Sequence, residues 1–370
     1  MTTRDVLISG AGVAGSTLAY WLARNGFRPT VVERSPGQRS SGNPVDVRGP
    51  AMPVVEAMGV VPRLRDVATR TTMMRLLDAS GRSITTVGMP AARGNEIEVP
   101  RADLAGVLYE AARDEAEFLF DDAITAVRQD EHGVELTFEH GAPRRFDLVI
   151  GADGLHSAVR RMAFGPEGDF LRSAGLHVAT MPLGEPVEHP HEVLIHNAPG
   201  RLVSIHPARD KALIAFIFRS SNGDEEIDYR NVDQHKRIVT EAYADAGWRV
   251  PQLLDRLADA DDLFFDAVSV VDLPTWSTRR IALLGDAASC VSLLGDGSSL
   301  AIAGAHALAT ALAEQPADHA AAFGRYERAH RSRVTPKQRA ITRSAALLVP
   351  KTRLGLAARN LAARLWPGGA

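Results

Sequence analysis

The chain has 370 residues, 45% hydrophobic and 24% charged, with 42 Lys and Arg against 45 Asp and Glu for a net charge of −3. That near balance gives no electrostatic case for a nucleic-acid partner, and the single cysteine excludes an intramolecular disulfide and a Cys-rich metal site. Without a charged-then-apolar leader or a clean apolar run of about 18 residues, the expectation is a cytoplasmic, soluble protein with no membrane span. Its length allows one large α/β body or two joined parts.

The clearest unit is DVLISGAGVAGSTLAYWLARNGFRPTVVERS (5–35). Val6, Leu7 and Ile8 form an apolar run suited to a strand buried on both faces. A glycine turn leads to a helix through Arg24, Gly26 stands where a C-terminal glycine cap belongs, and a strand over Arg28–Glu33 closes a βαβ unit. Gly10 permits a tight turn, Gly12 lets the backbone approach a pyrophosphate, and Gly15 lets the helix pack close to the strand. Glu33, 23 residues beyond Gly10, ends the second strand, where a carboxylate can take a ribose hydroxyl. The unit predicts dinucleotide binding and leaves NAD and FAD both open.

Residues 36–50, rich in Gly, Pro and Ser, read as a loop, and 51–69 as helix. Alternation over 72–100 predicts strands, followed by a helix from Arg101 and strands at GVELTFE (133–139) and FDLVIGADG (146–154). At the end of the last strand, Asp153 reads equally as a ligand acceptor or as a helix N-cap ahead of Ser157 and Arg160. From 174 to 220 hairpin-like runs follow at antiparallel spacing, then helix over 229–260 and a strand at FFDAVSVVDLP (264–274). His177, His189, His191, His196 and His206 lack the pairing of a metal site and are expected on surfaces or hairpins, with Phe216 and Phe218 in the core.

The chain returns to α/β at IALLGDAASCVSLLGDGSSLAIAGAHALATAL (281–312). Gly285-Asp286 sits at a strand's C-terminal end, where open α/β sheets bind ligands, and a loop with Gly295 and Gly297 opens onto a small-residue helix. Cys290 reads as a small buried side chain. The basic tail (326–366) reads as a docking helix with a solvated charged face, with an anionic surface as the alternative partner.

In this order the three motifs resemble the FAD-dependent class A, aromatic hydroxylase-like flavoprotein monooxygenases, over nearly the whole chain. PVDVRGPAMPVVEAMGV (44–60) is similar to the segment after the family's Glu, and EVPRADLAGVLYEAA (98–112) to its Arg-x-x-Leu helix. The resemblance implies that Gly10, Gly12, Ala14, Gly15, Glu33 and Arg34 hold the ADP part of FAD. It implies that Asp153 and Gly154 serve both FAD and NAD(P)H, and that Gly285, Asp286, Gly295 and Gly297 meet the ribityl-phosphate region. It also implies flavin contacts from Arg48 and Arg101.

The implied fold is α/β: a discontinuous Rossmann-type FAD-binding domain (1–70, 98–172 and 278–330) with an inserted antiparallel β-sheet substrate domain (71–97 and 173–277). C-terminal helices (331–370) complete it. Length and tail look most like the tetracycline-inactivating and polyketide-tailoring branch. The implied reaction consumes NAD(P)H and O2 and oxygenates a small aromatic or polyketide-like molecule through a flavin C4a-hydroperoxide. It needs neither a catalytic nucleophile nor a metal, and it suits a monomer or weak homodimer. Departures lie in SCVSLLGDG (289–297): Ser289 replaces the usual aromatic or His, no proline precedes the glycines, and the loop is one residue shorter. An FAD oxidase, dehydrogenase or reductase without oxygen insertion, or a silent flavin-binding protein, therefore stays open.

Overall fold

The computed structural model describes residues 4–37, 42–89, 96–208, 212–220, 227–291 and 295–365. Val6, Leu7 and Ile8 are completely buried in strand Asp5–Ser9, the centre of a six-stranded sheet. Arg28–Glu33 pairs with it in parallel on one side and Leu148–Gly151 on the other, and Ile281–Leu283 continues the parallel run. Glu117–Phe120 forms one edge and Ser277–Thr278, antiparallel, the other. Apolar runs covered on both faces favour this parallel arrangement. The chain order reverses around Asp5–Ser9, so a crevice opens at the carboxyl ends of its neighbours. Helix Val13–Arg24 packs against the alanine-rich helix Asp296–Glu314, while Gly304 of the latter leaves room for the His330 ring of helix His319–Leu348.

The second large sheet has seven strands in the order Phe264–Val271, Leu171–Pro182, Leu213–Arg219, Arg201–His206, Glu192–Ala198, Met73–Leu77 and Ser83–Gly88. One face buries Phe216, Phe218 and Phe265 against helices Val232–Tyr243 and Val250–Ala258. The other packs Leu176, Ile195 and Val268 against the end of a long helix through Ile341 and Ala345. The sheet is not wholly antiparallel: Met73–Leu77 runs parallel to Glu192–Ala198. The long excursion through the first sheet supplies the crossover that parallel pairing needs.

Other expectations change locally. The presumed loop over 36–50 contains strand Val45–Val47, which pairs with Ile97–Val99. A three-residue strand whose partner lies far along the chain leaves no period to read. The helix expected over 51–69 splits into Met52–Ala57 and Val61–Val67 at Gly59, whose φ of 72° no L-residue adopts comfortably. His196 lies on the hairpin of Glu192–Ala198 and Arg201–His206, one of the two expected placements, but its ring, like that of His177, is buried: His177 stacks with Phe265, and His196 meets Trp248 and the Asp78 carbonyl. Apolar bodies with polar tips suit such rings to a core when one nitrogen finds a partner.

The C-terminal boundary drawn at 331 falls inside an unbroken helix, His319–Leu348, which buries Phe323, Tyr326, His330 and Val334 against the first sheet's helices. The final helix, Arg353–Leu365, has no buried residue. Its outer face is apolar, where a solvated charged face was expected.

Candidate cofactor site

The glycine turn divides its labour between fold and ligand. Gly10 has φ 103°, and a Cβ there would stand 2.6 Å from the Ala152 carbonyl oxygen. A Cβ on Gly15 would fall 1.9 Å from the Gly10 oxygen. The fold itself demands both glycines. Gly12 is different: its φ is −75° and a Cβ would meet nothing within 4 Å. It precedes helix Val13–Arg24, whose N-terminus has no side-chain cap. The first-turn amides of a helix have no intrahelical acceptor and its N-terminus carries partial positive charge, so the open space beside Gly12 suits an anionic pyrophosphate.

Glu33 borders this turn. One carboxylate oxygen accepts from the Ala11 amide at 3.0 Å and the other from the Ser35 amide at 3.0 Å, which fixes the turn against the second strand. Each oxygen keeps a further lone pair for a ribose hydroxyl. Arg34 is exposed beside it. Ala14 supports the turn from behind, because a Cβ on Gly285 (φ 64°) would come within 2.9 Å of its methyl group.

The second strand end is built differently. Asp153 accepts from Ser157 Oγ at 2.5 Å and from the Ala158 and Val159 amides at 2.8 and 3.1 Å. Burial raises its carboxyl above the ordinary range, and those bonds pull in the other direction. Ser157 is the N-cap of helix Ala158–Ala163, accepting from the Arg160 amide at 2.9 Å, and the Asp153 carboxylate reinforces it by taking the helix's first two amides. Gly154 beside it has φ 82° and open space where a Cβ would stand. Arg160, completely buried, donates to the Leu155 and Ala287 carbonyls at 2.5 and 3.0 Å and to Glu167 at 3.2 Å. Its reach to Ala287 ties the second strand end to the third.

At the third end, Asp286 follows Gly285 with its side chain about one-third exposed. Burial raises its carboxyl, Arg101 at 3.9 Å partly offsets this, and the nearby Asp266 charge adds to the rise. A Cβ on Gly297 would lie 3.8 Å from Asp286 Oδ1, so that glycine shares the same space. Gly295 caps helix Asp296–Glu314 in the left-handed conformation, and a Cβ there would crowd Asp46 Oδ2 at 3.0 Å. Residues 292–294 of the departing loop lie outside the described residues. Cys290 is buried.

Arg48 meets carboxylates: Asp296 at 2.9 Å, Asp46 at 3.4 Å and Glu96 at 3.8 Å. Lys337 reaches Asp296 at 2.9 Å, so the first turn of the small-residue helix is held from two sides. Burial, opposed by Arg48 and reinforced by Glu98, Glu96 and Asp296, pushes the Asp46 carboxyl up to about 6. Directly across the two-stranded ladder from Asp46 stands Glu98, which bonds Thr69 and lies 3.2 Å from His206 of the seven-stranded sheet. Burial opposes ionisation of Glu98, but the His206 and Thr69 bonds outweigh it and hold the carboxyl low. This buried polar chain was missed from sequence. The signal was two acids, Glu96 and Glu98, alternating with Ile97 and Val99.

The residues present fit an extended anionic dinucleotide: an open glycine position at the start of a helix, a ribose-competent carboxylate, and a partly buried aspartate faced by an arginine. The sequence matches the family described as an FAD binding domain over residues 3–344. The chain belongs to this FAD-binding family. A flavin-dependent monooxygenase from an unknown prokaryotic organism is 37% identical over 330 residues, covering 88% of this chain and 85% of that one. Another, from Legionella longbeachae, is 33% identical over 340 residues, covering 90% and 87%. The crystal structure of tetracycline destructase Tet(55) superposes with a TM-score of 0.85 at 33% identity, covering 98% of this chain and 95% of that one.

The chain is thus an FAD-dependent oxidoreductase of the monooxygenase type, which uses an organic substrate, O2 and reduced nicotinamide. Among the described residues, no helix is long and apolar enough to cross a membrane.

Proposed function

We propose that the three strand ends hold a single FAD and that the enzyme oxygenates an aromatic or polyketide-like substrate beneath the seven-stranded sheet. The observation that carries this reading is the open space at Gly12, on the same side of the parallel sheet as Asp286 and Gly154. The names of the similar proteins, a tetracycline destructase among them, support the substrate class.

In this reading Gly12 and the amides of helix Val13–Arg24 take the pyrophosphate, and Glu33 takes the adenosine ribose. Asp286 accepts a ribityl hydroxyl, and Gly297 keeps the space beside it clear. Arg101 limits the cost of ionising Asp286 in this partly dry setting. Arg48 acts one step away, fixing the helix that carries Gly297 through its ion pair with Asp296. When bound, FAD would supply hydride acceptance from NAD(P)H and the activation of dioxygen, for which no side chain is equipped. The protein binds, orients and excludes water; the two domains meet where His206 of the large sheet touches Glu98, closing one side of the site.

The test is turnover of FAD-loaded enzyme under isotopically labelled dioxygen, across aromatic and polyketide scaffolds. The expected result is substrate-stimulated NAD(P)H oxidation with one labelled oxygen atom in the product. Peroxide formation in full yield with every scaffold, and no labelled product, would remove the reading.

A further inference from the structure

The final helix, Arg353–Leu365, is mounted with its polar side inward. At 100° per residue, Leu356, Arg359, Asn360 and Ala363 share one half, and these are the partly covered positions. Arg359 donates to Asn197 of the large sheet at 2.9 Å, and Ala363 packs on the apolar cluster beneath. The opposite half carries Leu354, Ala357, Ala358, Leu361, Ala362 and Leu365, all exposed. Leu354, Leu361 and Leu365 are 84, 57 and 74% accessible and fall within about 40° of one another around the helix. A helix whose only task was to cover its own protein would present the leucines inward.

The charge around this stripe is one-sided. From residue 328 to the end the sequence has ten Lys and Arg and no Asp or Glu, although the whole chain is net negative. Arg353 and Arg364 are exposed along the edge of the apolar half. Along the side of the helix, an open groove of about 920 Å³, lined also by Ala358 and Ala362, adds Arg219 and Lys351 to the same region. A second copy of this helix would bring like charge against like charge, so self-association is disfavoured. An apolar stripe edged by cations matches the boundary between anionic headgroups and acyl chains.

We propose that the C-terminal helix is a docking surface for an anionic lipid bilayer, with Leu354, Leu361 and Leu365 entering the interface and Arg353 and Arg364 meeting the headgroups. The enzyme is thereby held reversibly at a membrane surface without spanning it. This assignment is independent of how FAD is bound, and its test is separable from any assay of turnover.

The full-length FAD-loaded protein is mixed with phosphatidylcholine vesicles, alone or with about 30% phosphatidylglycerol, and binding is read by flotation. The expected result is binding to the anionic vesicles, at least tenfold weaker binding to neutral ones, and loss as salt rises. The double variant Leu354→Ser and Leu361→Ser should bind at least tenfold less while keeping the FAD content and unfolding temperature of the parent. Because both leucines are solvent-exposed, folding is not at stake, and the unfolding temperature verifies that. Absence of binding to anionic vesicles overturns the proposal, as does unchanged binding of the double variant. So does a solution dimer that the same variant dissociates in a protein indifferent to vesicles, which would make the stripe a contact between copies. Capture only by an acidic protein, with no vesicle binding, equally overturns it.

Discussion

At the scale of single residues, glycines with the same letter in the motif do different physical work. A methyl group on Gly15 would overlap the Gly10 carbonyl oxygen, a backbone atom that cannot swing aside. Gly15→Ala should therefore lower unfolding free energy by about 3 kcal/mol or more in chemical denaturation. Gly12→Ala meets no atom and keeps an ordinary φ, so the apoprotein should lose less than about 1 kcal/mol. Asp153→Ala should cost about 1–3 kcal/mol, because it removes the acceptor of the helix's first two amides and of the Ser157 hydroxyl. Equal stability of Asp153→Ala and the parent would contradict the capping role.

Much at this scale was legible, because turn sterics act between neighbours in sequence and so leave a spacing. Arg48 was not. Its partner Asp296 is 248 residues away, and only the folded chain brings the two together.

At the scale of elements, one charged clamp joins the two sheets. His156, in the turn after strand Leu148–Gly151, lies 2.8 Å from Glu167 and 3.2 Å from Asp266 of strand Phe264–Val271, with the Tyr229 ring tilted against it. Burial alone would lower its pKa, but bonding to the two carboxylates outweighs this and pushes it up to about 9 from 6.5. Because the folded-state value is raised, the clamp's contribution is complete below pH 6.5 and is lost as pH rises through 9. The shift corresponds to about 2–3 kcal/mol once the partial exposure of the ring is allowed for. Urea unfolding of the parent should weaken over this window more steeply than that of His156→Gln. Parallel pH profiles for the two proteins would contradict the clamp.

The elements themselves were legible wherever periodicity was long. The helix from Arg101, the βαβ unit and the hairpins at 174–220 follow from local pattern. Strand Val45–Val47 and the parallel pairing of Met73–Leu77 do not, since distant partners decide both. The tail was misread because composition reports charge without reporting which face it occupies.

At the scale of the whole molecule, three segments separated by long excursions return to one parallel sheet and present their carboxyl ends on one side. The order of the motifs was readable because each strand end carries its own glycine. Their convergence is a property of the sheet, as is the Arg160 link between Gly154's turn and Ala287. The central claim is that this convergence holds one FAD, and titration of apoprotein with FAD, followed by quenching of flavin fluorescence, tests it most directly. The account predicts one FAD per chain, with affinity lowered at least tenfold by Gly12→Ala and by Asp286→Ala while the apoprotein's unfolding temperature changes little. Unchanged FAD affinity in both variants, or a parent protein that binds none, would contradict it.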